Sequence, residues 1–316
     1  MKSIITCIAP LSFIFSTAQN NTFLDRSFWK SEPSITQIKD LITAGHDPTE
    51  KAPSAFDGVA YGIIDNAPLE SVKYMLSLDG NPVTKPTHGG LKYLQWAAYK
   101  GNLELMKHLL ELGADPTECS SRGTNMLLMA AIGGVENTAV YDLILQQGIP
   151  LDYANNSGAN AILLLAGSAI KDLSVFDYFM SKNISLDTKD NDGNNLFFYA
   201  ARGGHLKTIK YWKQKGVQYK GLNDNGENAI LFAAQGMRRQ KLQLAVFDYL
   251  SKELFLEVDQ VNWNGQTPLH YAVRKANPEL LDFFISQGVS VHQIDNNGNT
   301  ALINAASGSK TNLEKI

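Results

Sequence analysis

Asn264-Gly265-Gln266-Thr267-Pro268-Leu269-His270-Tyr271-Ala272 decides how this chain folds, because the same frame returns one period later as Asn297-Gly298-Asn299-Thr300-Ala301-Leu302-Ile303-Asn304-Ala305-Ala306. Upstream it recurs at Gly226 (Ile230, Ala233, Ala234), Gly193 (Phe197, Ala200, Ala201) and Gly158 (Ile162, Leu165, Ala166), then at Gly123 (Leu127, Ala130, Ala131) and Gly90 (Leu94, Ala97, Ala98). From Gly90 to Gly298 these glycines are 33, 35, 35, 33, 39 and 33 residues apart. A period of that size marks stacked supersecondary units, each burying its apolar side against its neighbours. Two fainter copies lie upstream. Ala67 to Leu76 matches Gly101 to Leu110 at an offset of 34, and Leu41 to Pro48 matches Leu109 to Pro116 at 68.

The residues of one copy prescribe a helix–loop–helix unit. Asn-Gly makes a tight turn, since glycine accepts a positive φ and Asn or Asp tolerates it. Thr267 can cap a helix, and Pro268 fits the first helical position, where a missing N–H costs nothing. The Ala-Ala pair keeps the first helix thin, so that neighbouring units can approach closely. The second helix carries the larger apolar load, Leu103, Met106, Leu109 and Leu110 in one copy and Leu280, Leu281, Phe284 and Ile285 in another. Three- and four-residue spacings put these side chains on one face. Gly113, Gly148, Gly216 and Gly288 then stop that helix.

On these residues the chain resembles the exported, bacterial-type members of the ankyrin-repeat family. Thr267-Pro268-Leu269-His270 is nearest to the family signature, and Leu109 to Asp115 resembles its second-helix ending. The resemblance implies an all-α ankyrin-repeat solenoid of about nine helix–loop–helix repeats with short β-turn or hairpin fingers. It places weak repeats at 20–85, clear ones at 86–306 and an incomplete last one at 296–316. The signature turn is missing from the first two repeats, and several others replace the Thr-Pro pair, so an irregular N-terminal end is expected. The family position of His270 implies a bond to neighbouring backbone. Function does not follow from such a frame, whose ligand is set by surface residues.

Catalytic groupings are not readable. None of His46, His88, His108, His205, His270 and His292 forms an H-E-x-x-H pair, and with Cys119 the one cysteine beyond residues 1–18, no thiolate zinc site can form. Gly89-Gly90, Gly133-Gly134 and Gly203-Gly204 precede no Lys-Ser/Thr pair and read as turns. The Asp/Asn-rich turns before Gly193, Gly226 and Gly298 lack the full ligand ladder of a calcium loop. The expectation is a non-enzyme with no cofactor and no metal.

Residues 1–18 stand apart. Lys2 is followed by an apolar stretch from Ile4 to Phe15 and by Ser16-Thr17-Ala18, the layout of a secretory signal peptide cleaved after Ala18. The stretch is short for a stable membrane span. Export to the periplasm or outside the cell follows as an expectation, with Cys119 the cysteine left, either reactive or a small half-buried side chain. A net charge of −3 gives no overall basic field to draw nucleic acid.

Partner contacts are expected at finger tips and at the ends of the first helices, which the resemblance places on a concave face. Nine and ten residues beyond each repeat glycine lie Tyr99-Lys100, Ile132-Gly133, Gly167-Ser168, Arg202-Gly203, Gln235-Gly236, Arg274-Lys275 and Ser307-Gly308. Lys100, Arg202, Arg274 and Lys275 make that column basic. The 39-residue repeat places its extra residues there as Gly236 to Lys241, adding Arg238 and Arg239. These bases either face an acidic protein partner or serve solubility. Asn191, Asp224 and Trp263 are the tip candidates, Trp263 as an exposed anchor or as a cover for the neighbouring tip. The chain reads as a monomeric interaction scaffold. The alternatives are an effector, inhibitor or immunity-type protein blocking one enzyme, or a fragment of a longer protein, since Thr311 to Ile316 reads as the start of a second helix.

Overall fold

The computed structural model describes residues 20–237, 242–275 and 277–306. The chain divides between Pro82 and Val83 into two compact units. In the second unit the first helices are Tyr93–Tyr99, Met126–Ile132, Ala161–Ala166, Leu196–Gly203, Ala229–Gln235, Pro268–Ala272 and Ala301–Ala306. The second helices are Leu103–Glu111, Thr138–Gln146, Ser174–Ser181, Leu206–Gln214, Leu244–Asp248 with its continuation Tyr249–Glu253, and Pro278–Ser286. Fingers between pairs close as isolated bridges, Ala154 to Asn160, Lys189 to Asn195 and Ile294 to Thr300. With two pairs in the first unit, the described residues hold eight helix pairs and a ninth first helix. The all-α helix-pair architecture with turn fingers is therefore as expected. The expected signal peptide at 1–18, Arg238, Arg239 and residues 307–316 lie outside the described residues.

Where the Thr-Pro pair is replaced, asparagine starts the first helix. Asn125, Asn160, Asn195 and Asn228 each accept a helix N–H through Oδ1, from Leu128 (3.1 Å), Leu163 (3.3 Å), Phe198 (3.1 Å) and Leu231 (3.0 Å). Such a cap is worth ~1 kcal/mol. The same side chain also reaches the following loop. Nδ2 of Asn195 donates to the Gln218 carbonyl and Nδ2 of Asn228 to the Glu257 carbonyl, both at 2.7 Å. In the signature repeat two residues divide this work. Thr267 Oγ1 and His270 Nδ1 form the cap at 2.9 Å, and His270 Nε2 meets the Asn299 carbonyl at 3.2 Å. The Thr267 N–H donates to Nδ1, so the ring is neutral there, and burial pulls its pKa below the ordinary 6.5. The backbone bond expected of His270 is thus present.

Two glycines show how closely the first helices stack. A Cβ on Gly133 would overlap the Tyr99 carbonyl, and one on Gly203 would overlap the Gly167 carbonyl. Ala97, Ala130 and Ala200 are fully buried in the same layer. The second helices fill the wider layer with aromatic rings. Phe176 and Trp212 lie 4.6 Å apart between centroids, Tyr141 and Phe179 4.9 Å, and Phe247 and Phe284 5.2 Å. Burying each such ring removes enough apolar surface to contribute roughly 2–3 kcal/mol.

Gly113, Gly148, Gly216 and Gly288 end their helices at φ between 81° and 87°, as predicted. Gly45 does the same in the first unit at φ 93°, and in the second unit two residues other than glycine hold that left-handed position: Asn183 at φ 63° and Phe255 at φ 55°. Asparagine is suited to it; a phenylalanine there costs about 1–2 kcal/mol. The helix before Phe255 explains its place. Leu244–Asp248 passes into a π-helical turn at Tyr249–Glu253. The closing bond consequently runs from Leu256 N–H to the Leu250 carbonyl, one residue longer than Val217 N–H to Trp212 in the preceding repeat. The 39-residue repeat therefore does not place all its extra length in the loop after Gly236: one residue is in the second helix, where a π turn absorbs it without shifting the following finger.

The first unit is two helix pairs, Arg26–Lys30 with Ile35–Thr43 and Gly58–Ile64 with Leu69–Leu76. Trp29 is fully buried, its indole against Gly58 and Gly62, where added Cβ atoms would lie 3.2 and 3.1 Å from the ring. A finger forms here without the signature glycine. Lys51 bridges Asp57, and Ala55 takes the turn at φ 65°.

Candidate functional site

The fingers of the second unit are tied tip to tip. Backbone N–H groups of Asn156, Asn191, Asp224, Trp263 and Asn296 donate to the carbonyls of Arg122, Ser157, Asp192, Asn225 and Asn264, at 2.9–3.1 Å. Side chains at the same position repeat the link. Nδ2 of Asn156, Asn191 and Asn296 donates to the preceding finger at 3.0–3.1 Å, and Trp263 Nε1 does so to the Asp224 carbonyl at 3.1 Å. Asp224 has no N–H on its side chain to do the same. The tip candidates Asn191, Asp224 and Trp263 thus hold one register position on successive fingers. Trp263 covers the neighbouring tip, its indole over Gly226, and is at the same time 65% exposed.

At the first-helix ends the counted column is uneven. Tyr99 and Lys100 are half-buried, Ile132 is exposed, and Gly167 and Ser168 are buried. Ser168 donates to the Ala131 carbonyl at 3.0 Å. The bases of the C-terminal part converge. Arg202 lies over the Phe232 ring at 4.9 Å, within cation–π range, and its Nε donates to the Gly236 carbonyl at 3.2 Å. Lys275 Nζ donates to the neighbouring Met237 carbonyl, also at 3.2 Å. Burial, then the Arg202 charge, hold the Lys275 pKa below its ordinary value. Arg274 is exposed and reaches Asn304 Oδ1 at 3.3 Å. Lys100 belongs to a different part of the column, three repeats before Arg202. A cavity of about 390 Å³ opens beside Arg202 between helix ends and fingers, walled by Ile132, Asp192, Tyr199, Phe232 and Met237.

Behind this face runs a polar network that the sequence reading missed. Tyr199 donates to Asp190 Oδ2 at 2.9 Å, and Asn194 Nδ2 reaches the same carboxylate at 3.0 Å. Asn223 Nδ2 spans Asn194 Oδ1 (2.9 Å) and Glu227 Oε2 (3.0 Å). Glu227 Oε1 accepts from Gln235 Nε2 (2.7 Å) and Asn262 Nδ2 (3.1 Å), and Asn262 continues to the Tyr271 hydroxyl (3.3 Å). Burial, then the Glu227 charge, raise the Tyr271 pKa. Asn194, Asn223, Glu227 and Asn262 are all buried. The available signal was the residue after the repeat glycine, which changes from Thr124 and Ala159 to Asn194, Glu227, Gln266 and Asn299. Among the described residues no helix is long and apolar enough to cross a membrane, and no cluster of three His, Cys, Asp or Glu could hold a metal ion. Cys119 is exposed.

Comparison with known proteins gives the same frame. The family described as ankyrin repeats (3 copies) matches residues 94–190 and 242–315, and that described as ankyrin repeats (many copies) matches 197–250. The mouse protein "Ankyrin repeat domain-containing protein 53" is 30% identical over 108 residues, 33% of this chain and 21% of the mouse protein. The match thus spans about a fifth of that relative's length.

Proposed function

Since the chain belongs to the ankyrin-repeat family, whose repeats generally mediate protein–protein contacts and are typically non-catalytic, we propose that it is an exported, monomeric scaffold binding an acidic protein partner. The observation that carries this reading is the convergence of Arg202 and Lys275 on adjacent carbonyls, at Gly236 and Met237. The Arg202 charge disfavours a second cation at Lys275, and an anionic group of the partner would offset that effect. Exposed Arg274 and half-buried Lys100 extend the face, and Trp263 offers a large ring already held in place by its neighbour. A rigid face of this kind needs little ordering on binding. The apolar stretch before Ala18 supports export to the periplasm or beyond the cell.

The test is capture of a partner from exported-protein extract, followed by titration of that partner against a variant carrying Arg202→Glu, Arg274→Glu and Lys275→Glu. Affinity is expected to fall by roughly tenfold or more at low salt, and wild-type affinity to fall as salt rises. Equal affinity of variant and wild type at low salt would overturn the acidic-partner reading.

A further inference from the structure

The cavity of about 390 Å³ beside Arg202 owes its room to Gly167. Ile132, Gly167 and Arg202 each stand nine residues after their repeat glycine, so the middle position leaves a gap between two long side chains. Ile132 and Met237, 39% and 42% exposed, line the gap together with Leu164 and the Phe232 ring. At the helix-end rim Arg202 is held in one place. Its guanidinium lies over Phe232 at 4.9 Å, and its Nε is engaged by the Gly236 carbonyl. Its two terminal nitrogens have no hydrogen bond or ion pair among the described residues. At the finger rim the Asp190 carboxylate is filled by the Tyr199 hydroxyl and Asn194. The Asp192 carboxylate is exposed and has no partner among the described residues. Burial, then the Asp190 charge, raise the Tyr199 pKa, while Arg202 lowers it and Asp192 raises it, so all three charges act at that hydroxyl.

These groups select one kind of ligand. With Nε engaged, Arg202 presents its two terminal nitrogens side by side, the fork that matches the two oxygens of a carboxylate. A doubly charged phosphate would meet stronger repulsion from Asp190 and Asp192. A single negative charge with an N–H donor close behind it gives both rims a partner, the donor going to Asp192. A polypeptide C-terminus carries a carboxylate, a side chain and an amide N–H on one residue, which the end of a glutamate side chain does not. Resting on the reading of this face as the partner surface, the geometry points to the cavity as the seat of a partner protein's C-terminal residue. Its carboxylate lies end-on to Arg202, its apolar side chain against Ile132, Leu164 and Met237, and its amide N–H toward Asp192. A stacked guanidinium beside an apolar wall is the kind of anchor on which binding energy concentrates.

Short synthetic peptides test this against the purified full chain, in four forms: ending in Leu with a free carboxylate, the same with a C-terminal amide, ending in Ser with a free carboxylate, and ending in a Glu amide. The first is expected to bind at least roughly tenfold more tightly than each of the others. Arg202→Lys, which keeps the charge but not the paired nitrogens, should lose most of the preference for carboxylate over amide. Ile132→Ser, at an exposed side chain, should lose the preference for Leu over Ser while moving the melting midpoint by no more than ~2 °C. Equal binding of the free and amidated Leu peptides would overturn the proposal. So would equally tight binding of the Glu amide, which would make the carboxylate a side chain's, or a full preference retained by Arg202→Lys. If those peptides bind alike while the triple Glu variant still loses the captured partner, this inference fails and the basic-face reading stands. A peptide preference that persists while partner affinity ignores that variant would leave the cavity a C-terminus site and remove the acidic-partner reading instead.

Discussion

Gly133→Ala is expected to destabilise the repeat stack by about 3 kcal/mol, the upper end of the usual cost of overpacking. Gly133 has φ −70°, which every residue adopts, so no dihedral strain enters. The whole effect comes from approach: the added methyl would overlap the Tyr99 carbonyl of the preceding first helix. A flexible side chain could swing aside, but a backbone carbonyl moves only with its helix. Gly203→Ala should behave alike, against the Gly167 carbonyl. Gly113→Ala is the control, since Gly113 has φ 85° and open space around its would-be Cβ. Its cost should be only the ~1 kcal/mol or so of an alanine in the left-handed region. Denaturant unfolding of the three variants checks the order. A Gly133→Ala variant no less stable than Gly113→Ala would mean that the first helices stand further apart than described.

Glu227→Leu should cost about 2–3 kcal/mol, through the polar groups it strands. The carboxylate accepts three amide bonds, from Asn223, Gln235 and Asn262, and is 4% exposed. Two effects compete. Removing a buried charge relieves its desolvation, which favours the leucine. Against that, three amides on two fingers and a helix lose their acceptor together, and the fingers are tied through them. Asn223 and Asn262 keep other partners at Asn194 and Tyr271, which limits the loss without cancelling it. Glu227→Gln should fall between wild type and leucine, as it keeps one acceptor oxygen but turns an N–H₂ toward a donor. Unfolding free energies and amide exchange in the fingers around residues 223 and 262 are the readouts. A leucine variant as stable as wild type would show that desolvation dominates.

The helix pairs were legible because their punctuation has few chemical solutions. A left-handed turn calls for glycine, and a stack of thin helices calls for alanine, so Gly193 and Ala200-Ala201 announce themselves. The asparagine caps were less visible. Asn195 and Asn228 join cap and inter-repeat link in one side chain, and so do not look like Thr267 with His270. Counting from the repeat glycines located Arg202, Arg274 and Lys275 on one face. It could not separate exposed Ile132 from buried Ser168, because that depends on how closely the next helix approaches. Glu227 was hidden for a related reason: its three partners come from positions 223, 235 and 262, and only the register of adjacent fingers brings them together. Phe255 lies ten residues before Gly265, as Gly216 and Gly288 lie before Gly226 and Gly298, but a phenylalanine there gives no signal of a left-handed helix stop.

The most direct test of the scaffold account is photo-crosslinking from single positions on the two sides of the stack. A crosslinking amino acid at Arg274, exposed in the basic column at the first-helix ends, is compared with one at Glu279, exposed on the first turn of the second helix Pro278–Ser286. Incubated with exported-protein extract, the chain labelled at 274 should yield a discrete covalent adduct with one protein, and the chain labelled at 279 should yield none. An adduct from 279 alone would contradict a partner held on the concave face.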